Sequence, residues 1–227
     1  MSFSSVDDRI SKIFEPGVPP PSERLKVLSE FKNEGISCGM FLLPVIPFVT
    51  DSPTFIEDSI KKASEIKLDF VIFGGMTLKK GKQKKYFLKN LKKNYKELLV
   101  DYNNIYKDDK WGNTTTEYYN SINNVFSYVS RKYQINKRIP PNLFKEFLSE
   151  NDFIIIVLKH IDYLLKLKGK KSPYGFSANS ISKIDKPLSS MKYNLRNIKG
   201  VGKVTEQIIW EILDTGRCKY YERLLKG

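Results

Sequence analysis

The chain has 227 residues and a formal net charge of +14, from 39 Lys and Arg against 25 Asp and Glu. That length can bury one or two cores of ordinary size, and the charge makes polyanions the partners most readily drawn to it. Two cysteines, Cys38 and Cys218, give no disulfide framework and point to a reducing cytoplasm; the first residues are too polar for a signal peptide, and no apolar run suits a bilayer.

In chain order, Met1 to Ser5 reads as a short strand and Asp7 to Phe14 as a short helix. Glu15 to Pro21 is a rigid Pro-rich loop. Ser22 is a good N-cap for an amphipathic helix with Leu25, Leu28 and Phe31, stopped at Gly35. Residues 36–46 form a nearly continuous apolar run, as in a strand buried on both faces. After a loop over 47–53, Phe55, Ile56, Ile60, Ala63 and Ile66 mark a helix, and residues 68–73 mark a second buried strand closed by Gly74 and Gly75. Strand and helix alternate, which predicts parallel α/β architecture.

Residues 1–78 hold 8 Lys and Arg against 11 Asp and Glu, residues 79–107 hold 10 against 2, and residues 151–227 hold 15 against 7. Basic character therefore belongs to the middle and the end. The pattern predicts one helix from Leu78 to Lys107, with Phe87, Leu88, Leu91, Tyr95 and Leu98 on its apolar side and nine lysines between 79 and 96 without one acid. That density exceeds what solvation requires and points to sequence-blind, salt-sensitive phosphate contact. The aromatics between 86 and 133 suit core packing, with base stacking as the alternative. A polar connector carrying Trp111 and Gly112 leads to a helix over 117–133, and Ile139-Pro140-Pro141-Asn142 marks a linker. His160, the only histidine, has no metal-ligating partner in sequence and reads as structural.

The last third centres on Asn197-Ile198-Lys199-Gly200-Val201-Gly202-Lys203-Val204-Thr205. Two glycines around one aliphatic residue make a tight turn, because glycine reaches positive φ without steric cost. The helical run that follows (Val204, Ile208, Ile209, Ile212, Leu213) begins with unsatisfied N–H groups and a dipole that favours an anion. Lys199, Gly200, Val201, Gly202, Lys203 and Thr205 are the candidate phosphate grip. Asp214-Thr215-Gly216 supplies a helix stop, and Tyr220, Tyr221, Leu224 and Leu225 suit another short helix.

This series, with Leu158, Ile161, Leu164, Leu165, Leu167 and Gly169 before it, resembles the amino-terminal helix-hairpin-helix domain of family-X DNA polymerases. The resemblance covers about a third of the chain and implies a backbone grip on DNA phosphate that reads no sequence. In the lyase members of that family a lysine eight residues after the first hairpin glycine forms the Schiff base. Ile208 stands there and has no amine, so the resemblance implies binding and not lyase chemistry.

A second resemblance covers roughly residues 1–90. Ser2-Phe3-Ser4-Ser5-Val6-Asp7-Asp8, Glu15-Pro16, Arg24-Leu25, Gly35-Ile36 and Pro44-Val45-Ile46-Pro47 resemble radical S-adenosylmethionine proteins, closest to spore-photoproduct-lyase-like DNA repair photolyases. It implies an α/β partial (β/α) barrel, from the fourth strand of a (β/α)6 barrel onward. It also implies a cofactor site in which Ser4 or Ser5 faces the ribose or carboxylate, and Pro44, Ile46, Gly74 and Gly75 border the adenine. The family's [4Fe–4S] cluster needs three cysteines spaced Cys-x3-Cys-x2-Cys, and the two cysteines here lie 180 positions apart. The expectation is then that Met1 is an internal start, or that a separate chain supplies the missing half and covers the exposed strand edge.

The sequence therefore predicts a partial radical S-adenosylmethionine α/β domain over 1–107, a helical connector over 108–150 and an all-α helix-hairpin-helix domain over 151–227. The expected function is nucleic-acid-directed DNA repair or modification with the cluster supplied from outside this chain, and the tail holding double-stranded DNA without reading sequence. The alternative is a non-catalytic DNA-binding remnant.

Overall fold

The three apolar runs of the first half become three strands of one parallel sheet. In the computed structural model, which describes residues 1–107 and 109–226, the elements are β1 (Ser2–Phe3), α1 (Asp8–Phe14), α2 (Pro21–Asn33), β2 (Gly39–Val45), α3 (Pro53–Glu65) and β3 (Phe70–Gly75). The sheet order is β1-β2-β3 and both pairings are parallel, with Phe3 opposite Leu42 and Gly39 opposite Phe70. The ladder between β2 and β3 shifts between Leu42 and Val45. Pro44 lies there; it has no N–H to donate, which confines proline in a central strand to such irregularities.

The expected partial barrel is corrected by this architecture. Among the described residues the chain is mostly helical, and its strands form one small three-stranded sheet with no barrel. The alternation of strand and helix was sound, but it is shared by open sheets and barrels alike, and three strands are too few to tell them apart.

After β3 come α4 (Lys82–Asn94), α5 (Leu99–Tyr106) and α6 (Thr116–Lys132). The single helix expected over 78–107 is broken at Tyr95, whose φ of −148° and ψ of 56° leave the helical region. The break lets α5 fold back on the carboxyl ends of the strands. There Tyr102 donates to the Pro47 carbonyl at 2.8 Å and Tyr106 to that of Met76 at 2.9 Å. Burial pushes both phenols well above their ordinary pKa, so they stay protonated as donors. The helix expected to open at Ser22 begins at Pro21, and Ser22 instead donates to Asp8 at 2.6 Å.

Two compact units emerge, residues 1–140 and 141–227. Most of the expected connector thus joins the first unit, where Phe126 and Val129 of α6 share a core with Phe3, Met40, Leu42, Ile56, Ile60 and Val71. A second cluster lies at the strand ends, where Ile46, Val49 and Met76 meet Leu91 of α4 and the two α5 tyrosines. The buried Arg24 ties β1 to the helices: its guanidinium donates to the Ser2 carbonyl at 2.6 Å and to Glu15 at 2.7 Å, 4.8 Å from the Phe3 ring centroid.

The second unit is all helical. After a 3-10 segment (Pro141–Phe147) come α7 (Glu150–Leu167), α8 (Tyr174–Ile181), a second 3-10 segment (Leu188–Asn197), α9 (Lys203–Thr215) and α10 (Lys219–Lys226). Ser149 caps α7 by accepting from Asp152 N–H. Gly216 ends α9 at a φ of +67°, the left-handed stop expected from Asp214-Thr215-Gly216. Ile154, Leu158 and Ile161 of α7 pack with Ala178, Ile181, Leu195, Val201, Ile208 and Ile212 into one core. Among the described residues no helix is long and apolar enough to cross a membrane.

Removing one member of a buried ion pair strands the other. Glu15→Ala should cost about 3 kcal/mol. Hydrogen exchange should quicken in β1, α1 and α2 while α7 and α9 keep their protection.

Candidate nucleic-acid interface

The turn between the second 3-10 segment and α9 is anchored at one residue and open on both sides of it. Val201 is 5% exposed and belongs to the core, while Lys199, Gly200, Gly202 and Lys203 are all exposed. Gly200 takes a φ of +88°, and a Cβ there would strike the ring of Phe176 on α8, so packing and backbone both favour glycine. The Gly200 carbonyl accepts a 2.7 Å bond from the hydroxyl of Ser177, which is fully buried, and the Lys199 ammonium lies 5.9 Å from the Phe176 ring centroid. Two backbone bonds, Ile198 N–H to Leu195 and Val201 N–H to Ile198, close the approach to the turn.

Gly202 is different. Its φ of −90° and ψ of 178° suit any residue, and a Cβ there would meet nothing within 4 Å. It holds the N-cap position of α9 without a side chain to cap it. Ser, Thr, Asn or Asp would accept from the first-turn amides; glycine leaves them to an outside acceptor. Among the described residues, no protein acceptor takes the N–H groups of Gly200, Gly202, Lys203, Val204 or Thr205. Thr205 is only 3% exposed, so its hydroxyl is not presented to an outside ligand. The first-turn acid, Glu206, is buried and faces Arg196 at 4.0 Å. Ile208, at the lyase-lysine position, is core.

The support behind the turn was not legible in sequence. Asp162 of α7 sits against Gly175 at the start of α8; a Cβ on Gly175 would lie 2.7 Å from its Oδ2. Burial raises the Asp162 pKa, but hydrogen bonding outweighs this and holds it below the ordinary 3.8, with Lys166 donating at 2.6 Å. Asp162 thereby fixes the end of α8 that presents Phe176 and Ser177 to the turn. A Gly two residues before a Ser was the available signal, but nothing local tied it to residue 162 or 200. His160 is bonded through Nδ1 to the Tyr221 hydroxyl at 3.0 Å.

In the first unit the lysines of α4 form a face. Lys82, Lys85, Lys89, Lys92 and Lys93 are exposed, and among the described residues none of the lysines between 79 and 96 pairs with a carboxylate. Gly81 gives α4 no side-chain cap, and its first turn holds lysines and no acid, against the field of the helix.

The six residues expected to border a cofactor do lie at or near the carboxyl ends of the strands, but protein fills that edge. Ser4 and Ser5 are each 1% exposed, and the Ser5 hydroxyl accepts from Asp7 N–H. Ile46 is buried with the α5 tyrosines, Pro44 is exposed, and Cβ atoms on Gly74 and Gly75 would meet Leu43 and Tyr119. Tyr118 closes the edge further by donating to Asp51. Ser4 Oγ is buried without a partner among the described residues, but at 1% exposure it opens to no space for a ribose or carboxylate. The residues present therefore do not fit S-adenosylmethionine. They do not fit an iron–sulfur cluster either: Cys38 and Cys218 lie in different units, and burial pushes both thiols above their ordinary pKa. Among the described residues no group of three or more His, Cys, Asp and Glu could hold a metal ion.

The chain is similar to an uncharacterized protein, ORF301, of Acidianus two-tailed virus, with 30% identity over 89 residues, 38% of this chain and 29% of the relative. It is also similar to uncharacterized proteins of Mycobacterium bovis and Mycobacterium tuberculosis, with 24% identity over 107 residues, 47% of this chain and 31% of each relative. The chain thus spans less than a third of the length of the curated relatives it matches. No family model and no solved structure matches it.

The two turn glycines should respond differently to alanine. Gly200→Ala should lower the stability of the second unit by about 1–3 kcal/mol through Phe176 and the positive φ, whereas Gly202→Ala should change it by about 0.5 kcal/mol or less; urea unfolding distinguishes them. Asp162→Asn should cost about 1.5 kcal/mol at neutral pH. Because the folded pKa of Asp162 is depressed, its contribution is complete above 3.8 and is lost as pH falls through the folded value, so wild type and variant should converge in acid.

Proposed function

We propose that residues 141–227 bind double-stranded nucleic acid by its phosphate backbone, without reading sequence. One observation carries the reading: Gly202 has no packing or backbone reason to be glycine, yet it faces open space beside uncapped amides and two exposed lysines. A glycine that folding does not require suits an external group that must approach the main chain closely. The field at the start of α9 and the Lys199 and Lys203 charges favour an anion there. The resemblance of this stretch to helix-hairpin-helix domains of family-X polymerases names the same partner, and such contacts position a protein on a duplex without specifying a base.

The reading concerns binding. A repair or modification reaction of the radical S-adenosylmethionine kind would need its cluster from another segment or chain, since Cys38 and Cys218 cannot make three thiolate ligands. It holds equally for a chain that binds alone and for one that brings a duplex to a catalytic partner.

Gly202→Asp tests it cleanly, because Asp is a better N-cap than Gly and should keep or raise the melting temperature. It would also place a carboxylate where the phosphate sits. Duplex affinity should fall about tenfold or more, alike for unrelated sequences, and wild-type affinity should drop steeply with salt. Unchanged affinity in the folded variant would remove this turn as the contact.

A further inference from the structure

Trp111 is 59% exposed, yet the loop that carries it is firmly held. Asp109 Oδ2 accepts from the N–H groups of both Trp111 and Asn113 at 2.9 Å, and the Asp109 carbonyl accepts from Gly112 N–H at 3.0 Å. The Gly112 carbonyl in turn accepts from Leu78 N–H at 2.7 Å. Gly112 is buried at a φ of +73°, and a Cβ there would run into the backbone of Leu78 and Lys79, so the loop lies directly on the segment leading into α4. The indole is thus presented from a held backbone and largely bare.

Its surroundings are cationic. The ammonium groups of Lys79 and Lys110 lie 5.1 and 5.4 Å from the ring centroid. Beyond Lys79, the exposed residues Lys82, Lys85, Lys89, Lys92 and Lys93 recur at three- and four-residue intervals along one side of α4, opposite the buried Leu91. Tyr86, 54% exposed, interrupts that row. From Lys82 to Lys93 the row is about 16 Å long, enough for several successive phosphates.

We propose that this surface of the first unit binds single-stranded nucleic acid, with an unpaired base stacked on Trp111 and the flanking phosphates taken by Lys79, Lys110 and the α4 lysines. Lysines alone would accept any polyanion. An exposed indole among them adds a flat apolar face, which duplex DNA, its bases stacked on one another, cannot use, and a single strand can. Lysines hovering over the ring are placed to exchange it for the phosphates on either side of a stacked base. The inference uses residues 78–113 and does not depend on the α9 turn.

The test uses the full chain and a twelve-residue oligothymidylate. Titration should quench tryptophan emission; Trp111→Ala should remove that quenching and weaken binding about tenfold. Trp111→Phe should restore most of the affinity, and Gly202→Asp should leave the quenching intact. Undiminished oligothymidylate affinity in Trp111→Ala would overturn the proposal. So would equal quenching by a blunt duplex, loss of the quenching in Gly202→Asp, or quenching of Trp111 by phosphatidylserine vesicles but not by the oligonucleotide.

Discussion

The proposed duplex interface depends on one buried side chain between two exposed glycines. Val201 pulls the middle of the turn into the core, and the Ser177 hydroxyl holds the carbonyl of Gly200. With that carbonyl engaged inward, the unengaged backbone donors of the turn and of the first turn of α9 are left on the solvent side. Every helix start leaves such donors to caps, water or ligands; here no side-chain cap takes them, and two cationic side chains stand beside them. The rest of the unit supports that bend. Asp162 sets the start of α8, α8 presents Phe176 and Ser177, and these fix Gly200 in a conformation that only glycine adopts at low cost.

The first unit solves a different problem. Three parallel strands leave carbonyl groups at their carboxyl ends, and the chain satisfies two of them with tyrosine hydroxyls from α5. This requires the helix after β3 to stop and reverse, which Tyr95 accomplishes. On the other side of the sheet, Arg24 takes a carbonyl of β1 that faces away from β2. The residues that carry the radical S-adenosylmethionine resemblance include Glu15 and Arg24, and here those two are partners in one buried ion pair. Their pairing is explained by the need to tie a two-residue strand to its helices, whatever the wider ancestry of the segment.

How much was legible follows from the range of each interaction. The strands, α1, α3 and α6, and the α9 stop at Gly216 rest on local periodicity and caps, and they emerged within a few residues of their expected limits. The exposed turn was legible too, because Gly-Val-Gly before a helix is a local signal. Whether the sheet closes was not legible, since closure depends on strands that a run of residues cannot report about its neighbours. The break at Tyr95 was hidden because the apolar period of 78–107 continues through it, and only the distant carbonyls of Pro47 and Met76 demand it. Asp162, Phe176 and Ser177 escaped notice for the same reason: their significance lies in a contact with residue 175 or 200. Thr205, expected in the grip, is buried, which the local pattern could not show.

The missing cap at Gly202 would couple anion binding to the endurance of the helix. An α-helix that begins without a side-chain acceptor frays more readily at its first turn, and any anion seated there does the work of the absent cap. Residues Lys203 to Thr205 would then be most rigid when the site is filled. The same glycine that leaves room for an anion would make a bound anion a structural member of α9.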